Sequence, residues 1–316
     1  NNPILYIVIP CYNEEQVLPH TNPMFVGKIE ELVKNQEVHP NSKVMYVNDG
    51  SKDKTWELIQ AYASSNPYVV GISQSRNRGH QSSVLAGMYE AAEFADIVIT
   101  IDADGQDDID CMDQMVAEYK DGSEIVYGVR DNRDTDSAFK RITAEGFYKV
   151  MRLFGADVVF NHADYRLVSK RFIYELAKFK EVNLFLRGLM PLVGFKYSYV
   201  TYKRHERIAG ESHYPLAKML GLAIDGITSL SIKPIRLITT LGVLTSFFSF
   251  ALIIWVLWSK FAGNVVAGWA STYAIVSLLG GVQLISLGVI GEYIGKIYLE
   301  TKRRPRYIIS DRTYDE

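Results

Sequence analysis

The sequence predicts an α/β domain followed by a C-terminal α-helical transmembrane region, and three observations lead to this prediction. The predicted domain covers residues 1–214, and its first part, up to Val129, alternates short apolar runs with segments whose apolar residues recur at helical spacing. Polar clusters follow several of the apolar runs directly. Beyond residue 234, two long stretches contain no charged residue.

The apolar runs are predicted to be the strands of a mostly parallel sheet. Five runs have this character: Ile4–Ile9, Lys43–Val47, Val69–Ile72, Ile97–Ile101 and Ile125–Val129. Four segments between them show helical spacing: Glu30–Asn35, Thr55–Ala63, Ser83–Phe94 and Met112–Tyr119. Continuous apolar strands that alternate with helices indicate a sheet covered on both faces, as in Rossmann-like domains. Such sheets bind ligands at the carboxyl ends of their strands.

The bulk composition excludes several classes of protein. The net charge is −2 and the pI is about 6.4, which disfavours a general nucleic-acid binder. Neither a glycine-rich dinucleotide fingerprint nor a P-loop motif is present, so a dehydrogenase and a P-loop NTPase are disfavoured. Cys11 and Cys111 have no metal-ligand spacing and are interpreted as reduced thiols rather than a disulfide.

The composition of the sequence changes after residue 214. Segment 215–233 is predicted to be an amphipathic helix at the membrane interface, because Leu216–Ile232 carries apolar residues on one face. A core helix is the alternative. In segment 234–300, Leu237–Ser259 and Ser271–Ile290 are each long enough to span the roughly 30 Å hydrocarbon layer. Buried helices of a soluble protein are the alternative for this pair.

The basic residues predict the orientation of the two spans. Lys233 and Arg236 precede the first span, whereas the turn between the spans holds only Lys260. The tail 301–316 is basic at its start, with Lys302, Arg303, Arg304 and Arg306. Positive residues face the cytoplasm, so the N-terminal domain and the tail are predicted to be cytoplasmic. Gly291-x-x-x-Gly295 allows close approach of helices and leaves a homo-oligomer open.

The strongest chemical motif is Asp102-Ala103-Asp104, directly after the fourth predicted strand. Two carboxylates one residue apart offer oxygen ligands to a hard divalent cation such as Mg²⁺ or Mn²⁺. A cation held there would stabilise a leaving diphosphate. A solvated turn is the alternative for this common pattern.

Two further polar segments follow strands. Asp49 ends the second strand and is placed to accept hydrogen bonds from a base or ribose, although Asn-Asp-Gly is also an ordinary turn sequence. Residues 76–79, Arg-Asn-Arg-Gly, precede a helix and suit phosphate, with a plain surface loop as the alternative.

Taken together, these motifs resemble glycosyltransferase family 2, which has the GT-A fold. The resemblance is carried by Ile9–Glu15, Val47–Ser51 and Asp102–Asp107. The second half resembles polyprenyl-phosphate glycosyltransferases, chiefly the bactoprenol glucosyltransferases and more distantly dolichyl-phosphate mannose synthase. The segments that carry this likeness are Ala163–Leu167, Arg204–Tyr214 and Gly280–Gly295.

The resemblance implies a role for each matching residue. It implies nucleotide contacts for Pro10, Tyr12, Glu14, Asp49 and Asp102, and a metal held by Asp102, Asp104 and Gln106. It implies catalytic roles for Asp164 and Asp104, with Asp164 as the acceptor-side carboxylate, and phosphate binding by Arg204, Arg207 and Ser212. His213 stands where lysine is usual, which puts one phosphate contact in doubt, and Gly105 replaces a common leucine. Judged from the residues alone, Asp164 could start a helix or form a salt bridge, and the two arginines could be a surface charge pair.

The resemblance therefore implies an inverting transfer of one sugar from a UDP-sugar to polyprenyl (undecaprenyl) phosphate at a bacterial inner membrane. Glucose is the first expectation, with N-acetylglucosamine, galactose or mannose as alternatives. A phosphate acceptor is largely dianionic above its second pKa of about 6 and needs little base help, so Asp164 is either a base or an orienting group. A processive polysaccharide synthase is disfavoured because no Q-x-x-R-W motif occurs. A non-catalytic membrane scaffold is disfavoured by the acidic residues at three strand ends.

Overall fold

The computed structural model describes residues 2–130, 162–181, 185–203, 227–228, 231–262 and 268–314. The chain divides into two compact units. Among the described residues, the first unit holds everything up to 203 together with 304–314, and the second holds 227–303. Arg204, Arg207 and Ser212 lie outside the described residues, as does almost all of the predicted interfacial helix.

The first unit is built on one mixed sheet of eight strands. The strands are β1 (Leu5–Cys11), β2 (Lys43–Asn48), β3 (Val69–Gln74), β4 (Ile97–Thr100), β5 (Ile125–Arg130), β6 (His162–Ser169), β7 (Tyr197–Tyr202) and β8 (Ile309–Arg312). Their spatial order is β7-β5-β6-β4-β1-β2-β3-β8. Strands β4, β1, β2 and β3 are mutually parallel, whereas β6 runs antiparallel between β4 and β5.

Helices cover both faces of the sheet. They are α1 (Leu18–Lys34), α2 (Thr55–Ser65), α3 (His80–Ala92), α4 (Cys111–Lys120), α5 (Lys170–Leu176) and α6 (Leu186–Leu192). Side chains alternate between two buried clusters along β1: Ile7 and Ile9 join the cluster under α1 and α4, and Val8 joins the cluster under α3. The predicted α/β sheet with two covered faces is therefore confirmed.

The apolar runs of the sequence predict the first five strands but not the last three. Residues 163–167 were singled out as a motif, and the structure makes them part of β6. The predicted helix Glu30–Asn35 is the end of the longer α1, which begins at Leu18. Pro19 and Pro23 obscured its start. Pro19 lies in the first turn, where the missing N–H of proline has no partner to lose, whereas Pro23 lies inside the helix.

The C-terminal tail returns to the sheet. Strand β8 pairs antiparallel with β3 and covers an edge that would otherwise present unpaired backbone groups. The Arg312 guanidinium contacts both carboxylate oxygens of Glu90 in α3, with Nε–Oε2 2.8 Å and Nη2–Oε1 3.0 Å. Tyr314 donates a hydrogen bond to the same carboxylate. The tail is thus fixed both to the sheet edge and to the helix beside it.

The second unit contains two long apolar helices, α7 (Lys233–Phe261) and α8 (Trp269–Thr301). Both are long and apolar enough to cross a membrane, within Lys233–Leu252 and Leu278–Thr301. No residue in either window is buried inside the protein. Large apolar side chains such as Phe247 and Leu284 are exposed. The alternative of buried helices in a soluble core is therefore wrong for these residues, because a core helix would bury such side chains.

Candidate active site

The loops that follow β1 and β2 hold each other in place. The backbone N–H of Asn13 donates to Ser51 Oγ at 3.0 Å, and Asn13 Oδ1 accepts from the N–H of Lys52 at 3.0 Å. Glu14 N–H donates to Thr55 Oγ1 at 2.8 Å. Asn13 has a φ of 55°, a conformation that asparagine tolerates better than most residues. The two loops therefore form one preorganised rim at the carboxyl end of the sheet.

Three residues predicted to contact the nucleoside lie on or beside this rim. Pro10 is buried in β1 and pairs with Val47 of β2. Pairing of β1 with β4 ends at Val8, so proline's missing N–H costs no ladder hydrogen bond there. Tyr12 is 44% exposed and Glu14 is half-buried. Contact with a nucleoside stays a prediction for all three.

Asp49 is buried at the end of β2 and supports the start of α3. Its Oδ1 accepts from the N–H of Arg78 at 2.7 Å, and its Oδ2 accepts from the N–H of Gly79 at 2.9 Å. Burial raises the pKa of Asp49, and these hydrogen bonds offset part of that effect. A carboxylate near a helix N-terminus also interacts favourably with the helix dipole. The predicted contact of Asp49 with base or ribose stays a prediction, because the structure gives the side chain a supporting role of its own.

The predicted metal-binding carboxylates follow β4 directly. Burial raises the pKa of Asp102, and repulsion from Asp164, Asp107 and Asp104 adds to the rise, while His80 acts in the opposite direction. Asp104 Oδ1 accepts from the N–H of Gln106 at 3.1 Å and closes the turn. Gly105, between them in sequence, has a φ of 67°, so glycine suits this position better than the leucine usual in similar sequences.

Asp102 and Asp104 fit a divalent cation whose other ligands come from the substrate and from water. Within the described part of the chain, no group of three or more His, Cys, Asp or Glu side chains is arranged to hold a metal. Asp102 and Asp104 supply two carboxylates, and Mg²⁺ sites commonly combine one or two carboxylates with substrate phosphates and water. The mutual repulsion that raises the pKa of Asp102 is what a bound cation would relieve.

Asp164, the predicted acceptor-side carboxylate, is surrounded by cationic side chains. Its carboxylate lies 2.6 Å from Arg166 Nη2, 3.1 Å from Arg187 Nη2 and 3.4 Å from His80 Nε2. Burial by itself would raise the pKa of Asp164. The hydrogen bond from His80 and the charges of Arg166 and Arg187 nevertheless hold it well below its ordinary value. Asp164 is therefore a weak proton acceptor in this arrangement.

His80 links this carboxylate to the metal-binding pair. It is the first residue of α3, and its Nε2 lies 3.6 Å from Asp102 Oδ1 as well as 3.4 Å from Asp164 Oδ2. Burial lowers its pKa, but the two carboxylates raise it overall. Sequence reasoning missed both His80 and Arg187. His80 directly follows the polar segment 76–79 and could have been included with it, whereas Arg187 gives no signal in the sequence.

The sheet brings Asp164 to the site through its antiparallel strand. Thr100 of β4 pairs with Arg166 of β6, and Thr100 Oγ1 donates to the backbone carbonyl of Asp164 at 2.6 Å. The residue that follows β4 by two positions, Asp102, therefore lies near a residue 62 positions later in the chain. A helix start is excluded for Asp164, and its ion pair with Arg166 is present alongside the contacts to His80 and Arg187.

A second buried network supports the loop after β4. Tyr202 donates from its hydroxyl to Asp107 Oδ1 at 2.6 Å, and Arg130 Nη2 lies 3.6 Å from the same oxygen. Tyr165 donates to the backbone carbonyl of Asp108 at 3.0 Å. These contacts come from β5, β6 and β7 and hold the acidic loop against three strands.

Two sequence profiles match this chain. The profile of Glycosyl transferase family 2 matches residues 6–177, and the profile of the GtrB C-terminal hairpin matches residues 233–297. The first match begins within β1, extends beyond β6 and contains the carboxylates described above. The second contains most of α7 and α8.

Curated relatives match over nearly their full length. The uncharacterized glycosyltransferase YkoT of Bacillus subtilis is 46% identical over 100% of this chain and 94% of its own. The bactoprenol glucosyl transferase of Shigella phage SfX is 38% identical over 97% of this chain and 98% of its own. The prophage bactoprenol glucosyl transferase homolog of Escherichia coli K12 is 38% identical over 96% of this chain and 97% of its own. With its α/β sheet of the GT-A type and its carboxylates at the strand ends, this chain belongs to glycosyl transferase family 2.

Proposed function

We propose that this chain is an inverting hexosyltransferase that moves one glucose from UDP-glucose to a polyprenyl phosphate of the bactoprenol type. The observation that carries the proposal is the near full-length likeness to bactoprenol glucosyl transferases, which includes the C-terminal hairpin. The lipid-linked glucose would then serve to modify a cell-envelope glycan. N-acetylglucosamine, galactose and mannose are the alternatives for the sugar.

The proposed reaction is a direct displacement at the anomeric carbon. A phosphate oxygen of the acceptor forms the new bond, and the bond from that carbon to the donor's phosphate oxygen breaks. The electron pair of the broken bond leaves with the nucleoside diphosphate. A phosphate monoester is largely dianionic above about pH 6, so no proton has to be removed from the nucleophile. The cationic surroundings of Asp164 favour an orienting role for this carboxylate over a role as base.

A divalent cation, Mg²⁺ or Mn²⁺, would be held by Asp102 and Asp104 and would supply charge neutralisation at the donor diphosphate. Gln106 is buried in the same turn, where its backbone N–H donates to Asp104, and it belongs to the same proposed set. Arg204, Arg207 and Ser212 are proposed to bind phosphate, on the likeness of their segment to polyprenyl-phosphate glycosyltransferases.

The acceptor is a membrane lipid, and the hairpin is proposed to hold the enzyme at the bilayer that contains it. We infer a multi-pass protein of the bacterial inner membrane with its catalytic domain in the cytoplasm, where nucleotide-sugars are made. The basic residues that flank α7 and α8 support this orientation. A homo-oligomer is compatible with this arrangement, since the space next to Gly291 and Gly295 on α8 is unoccupied and allows another helix to approach.

The purified full-length chain in detergent, supplied with Mg²⁺, polyprenyl phosphate and one donor at a time, tests the proposal. UDP-glucose, UDP-N-acetylglucosamine, UDP-galactose and GDP-mannose are compared, and the lipid product is weighed by mass spectrometry. We expect one hexose added from UDP-glucose, with Asp104→Asn as the background control. A ladder of additions would indicate a processive synthase instead, and no lipid product from any donor would contradict the proposal.

A further inference from the structure

Arg187 stands at the rim of the site with its guanidinium already oriented. Its Nη2 lies 3.1 Å from Asp164 Oδ2 and its Nε lies 3.4 Å from Asp164 Oδ1, so the carboxylate meets one edge of the guanidinium at two points. The Arg187 side chain is 39% exposed, whereas Arg166, which contacts the same carboxylate, is 1% exposed. Arg166 therefore lies beneath Asp164, and Arg187 faces the solvent side.

Helix α6 holds the backbone of Arg187 in place, and Asp164 holds its side chain. Leu186 and Leu189 are buried in the core cluster under α3. The N–H of Leu186 donates to Gln81 Oε1 at 2.9 Å, and Gln81 is the neighbour of His80 in α3. An arginine anchored in this way loses little side-chain entropy when it binds a ligand.

A short series of contacts joins Arg187 to the first carboxylate of the D-x-D motif. Arg187 Nη2 and His80 Nε2 both approach Asp164 Oδ2, and His80 Nε2 also approaches Asp102 Oδ1. Two guanidinium groups, Arg166 and Arg187, contact this one carboxylate. The partly exposed guanidinium of Arg187 is complementary to an anion that lies between the donor and the acceptor.

We propose that Arg187 is a phosphate-binding residue of this enzyme and that Asp164 is the positioning residue that orients its guanidinium. The ligand is a phosphate oxygen, either of the donor diphosphate or of the lipid phosphate. A guanidinium presents its donors in a fixed planar arrangement that matches phosphate oxygens, and hydrogen bonds between two charged groups are the strong ones. The inference rests on the proposed function, because it assigns Asp164 a role in the same transfer.

Steady-state kinetics of Arg187→Ala and Arg187→Lys test the proposal. We expect Arg187→Ala to raise the KM for one phosphate substrate about 10- to 100-fold, as the loss of a charged hydrogen bond implies, and Arg187→Lys to recover part of it. A rise for UDP-glucose assigns the donor diphosphate, and a rise for polyprenyl phosphate assigns the acceptor. Arg171→Ala is the matched control, because Arg171 pairs with Glu124, lies over the ring of Phe195 and contacts none of the site residues that the structure describes. Arg187→Ala kinetics within about twofold of wild type for both substrates would overturn the proposal.

A double-mutant cycle tests the part assigned to Asp164. If Asp164 acts through Arg187, Asp164→Asn raises the same KM, and the double variant is no worse than the more impaired single variant. Fully additive losses would overturn the positioning role. Thermal unfolding of each variant identifies any loss of fold. If Asp164→Asn does not fold, Arg187→Lys replaces it in the cycle, because this variant keeps the charge but loses the planar guanidinium that Asp164 orients.

A direct binding measurement separates this inference from the proposed function. If the wild-type protein yields no lipid product with any donor, the proposed function fails, and Arg187 is then tested by calorimetric titration with UDP and with polyprenyl phosphate. Weaker binding of either compound by Arg187→Ala but not by Arg171→Ala supports the phosphate site. Equal affinities in all three proteins overturn it.

Discussion

At Asp164, one carboxylate faces a buried guanidinium, a partly exposed guanidinium and an imidazole. The hydrogen bond from His80 and the charges of Arg166 and Arg187 hold the folded-state pKa of Asp164 well below the ordinary value. A depressed carboxylate pKa contributes stability above the unfolded-state value of about 3.9 and loses it as the pH falls through the folded-state value. Across an assay range of about pH 5–9, Asp164 is therefore ionised throughout, whereas the acceptor phosphate changes its charge within that range.

The pH profile of Asp164→Asn distinguishes an orienting carboxylate from a base. We expect the rate of wild type and variant alike to rise near the second phosphate pKa of about 6 and then level off, with a lower plateau for the variant. The measurement is kcat/KM for the acceptor across the pH range. Log-linear growth of the variant's rate above about pH 8 would instead make Asp164 the proton acceptor, with hydroxide replacing it.

Asp104→Asn tests whether this carboxylate holds a divalent cation that the transfer requires. An amide removes one of the two negative charges that would attract the cation, so we expect transfer to fall at least about 100-fold while the fold is kept. Binding of Mn²⁺ in the presence of UDP, followed by electron paramagnetic resonance, should weaken in parallel. Asp108→Asn serves as control, since Asp108 lies in the same loop but outside the proposed ligand set. Full turnover by the wild-type protein in excess chelator would rule out the metal.

At the scale of elements, the rim of the site depends on a close approach between the loops after β2 and β3. Gly50 has a φ of 61°, and a Cβ there would lie 2.5 Å from the backbone of Arg76 and of Asn77. We expect Gly50→Ala to lower the thermal midpoint and to weaken UDP binding, because backbone atoms of both loops must shift. Gly122→Ala is the control: its φ is 91°, but its nearest neighbour would be Lys196 Nζ at 3.7 Å. Equal effects of the two substitutions on UDP binding would refute this account.

Strand β8 makes the tail an integral part of the catalytic unit. Arg312 and Glu90 are only 27% and 20% exposed, so their two-point contact is shielded from water. We expect Arg312→Ala to lower the free energy of unfolding by about 1.5–3 kcal/mol, the range for hydrogen bonds to charged groups. Lys178→Ala breaks the exposed pair with Glu175 and should cost less than about 1 kcal/mol. Chemical denaturation of the two variants in detergent makes the comparison; similar losses would show that the tail contact is no stronger than a surface pair.

At the scale of the whole molecule, the apolar surfaces of α7 and α8 need an environment other than water. Trp258 and Phe247 are both largely exposed on α7, as are Leu284 and Ile285 on α8. Helices that are apolar on all sides and unburied in protein are typical of membrane spans. The orientation of the two helices can therefore be tested by determining on which side of the bilayer each connecting segment lies.

Single cysteines report the orientation directly, because the native Cys11 and Cys111 are buried. We expect a membrane-impermeant maleimide added to intact cells to label Asn264→Cys, between the two helices. Asp311→Cys in the tail should react only after the cells are permeabilised, as the distribution of basic residues predicts. Parent protein without the added cysteine measures the background. Labelling of Asp311→Cys in intact cells would contradict the cytoplasmic placement of the catalytic domain.

The sequence by itself determined the elements whose signals are local. Strands β1 to β5 follow from short apolar runs, and the two apolar helices from the absence of charge over a membrane-long stretch. The carboxylates at Asp102 and Asp104 could be located because they directly follow a strand, and ligand sites in such sheets lie at strand ends. Each of these features depends only on residues that are neighbours in the chain.

Only the tertiary structure decided which distant residues meet. Strand β6 runs antiparallel between β4 and β5, and this pairing brings Asp164 and Arg166 beside the loop after β4. His80 and Arg187 reach the same carboxylate from α3 and α6, and no local pattern indicates that the two side chains meet there. Strand β8 likewise needs the sheet edge of β3 to give its short segment a partner. The physical reason is common to all three: strand pairing and charge contacts between remote segments depend on how the whole sheet assembles, whereas apolar periodicity and turn chemistry are properties of the local chain.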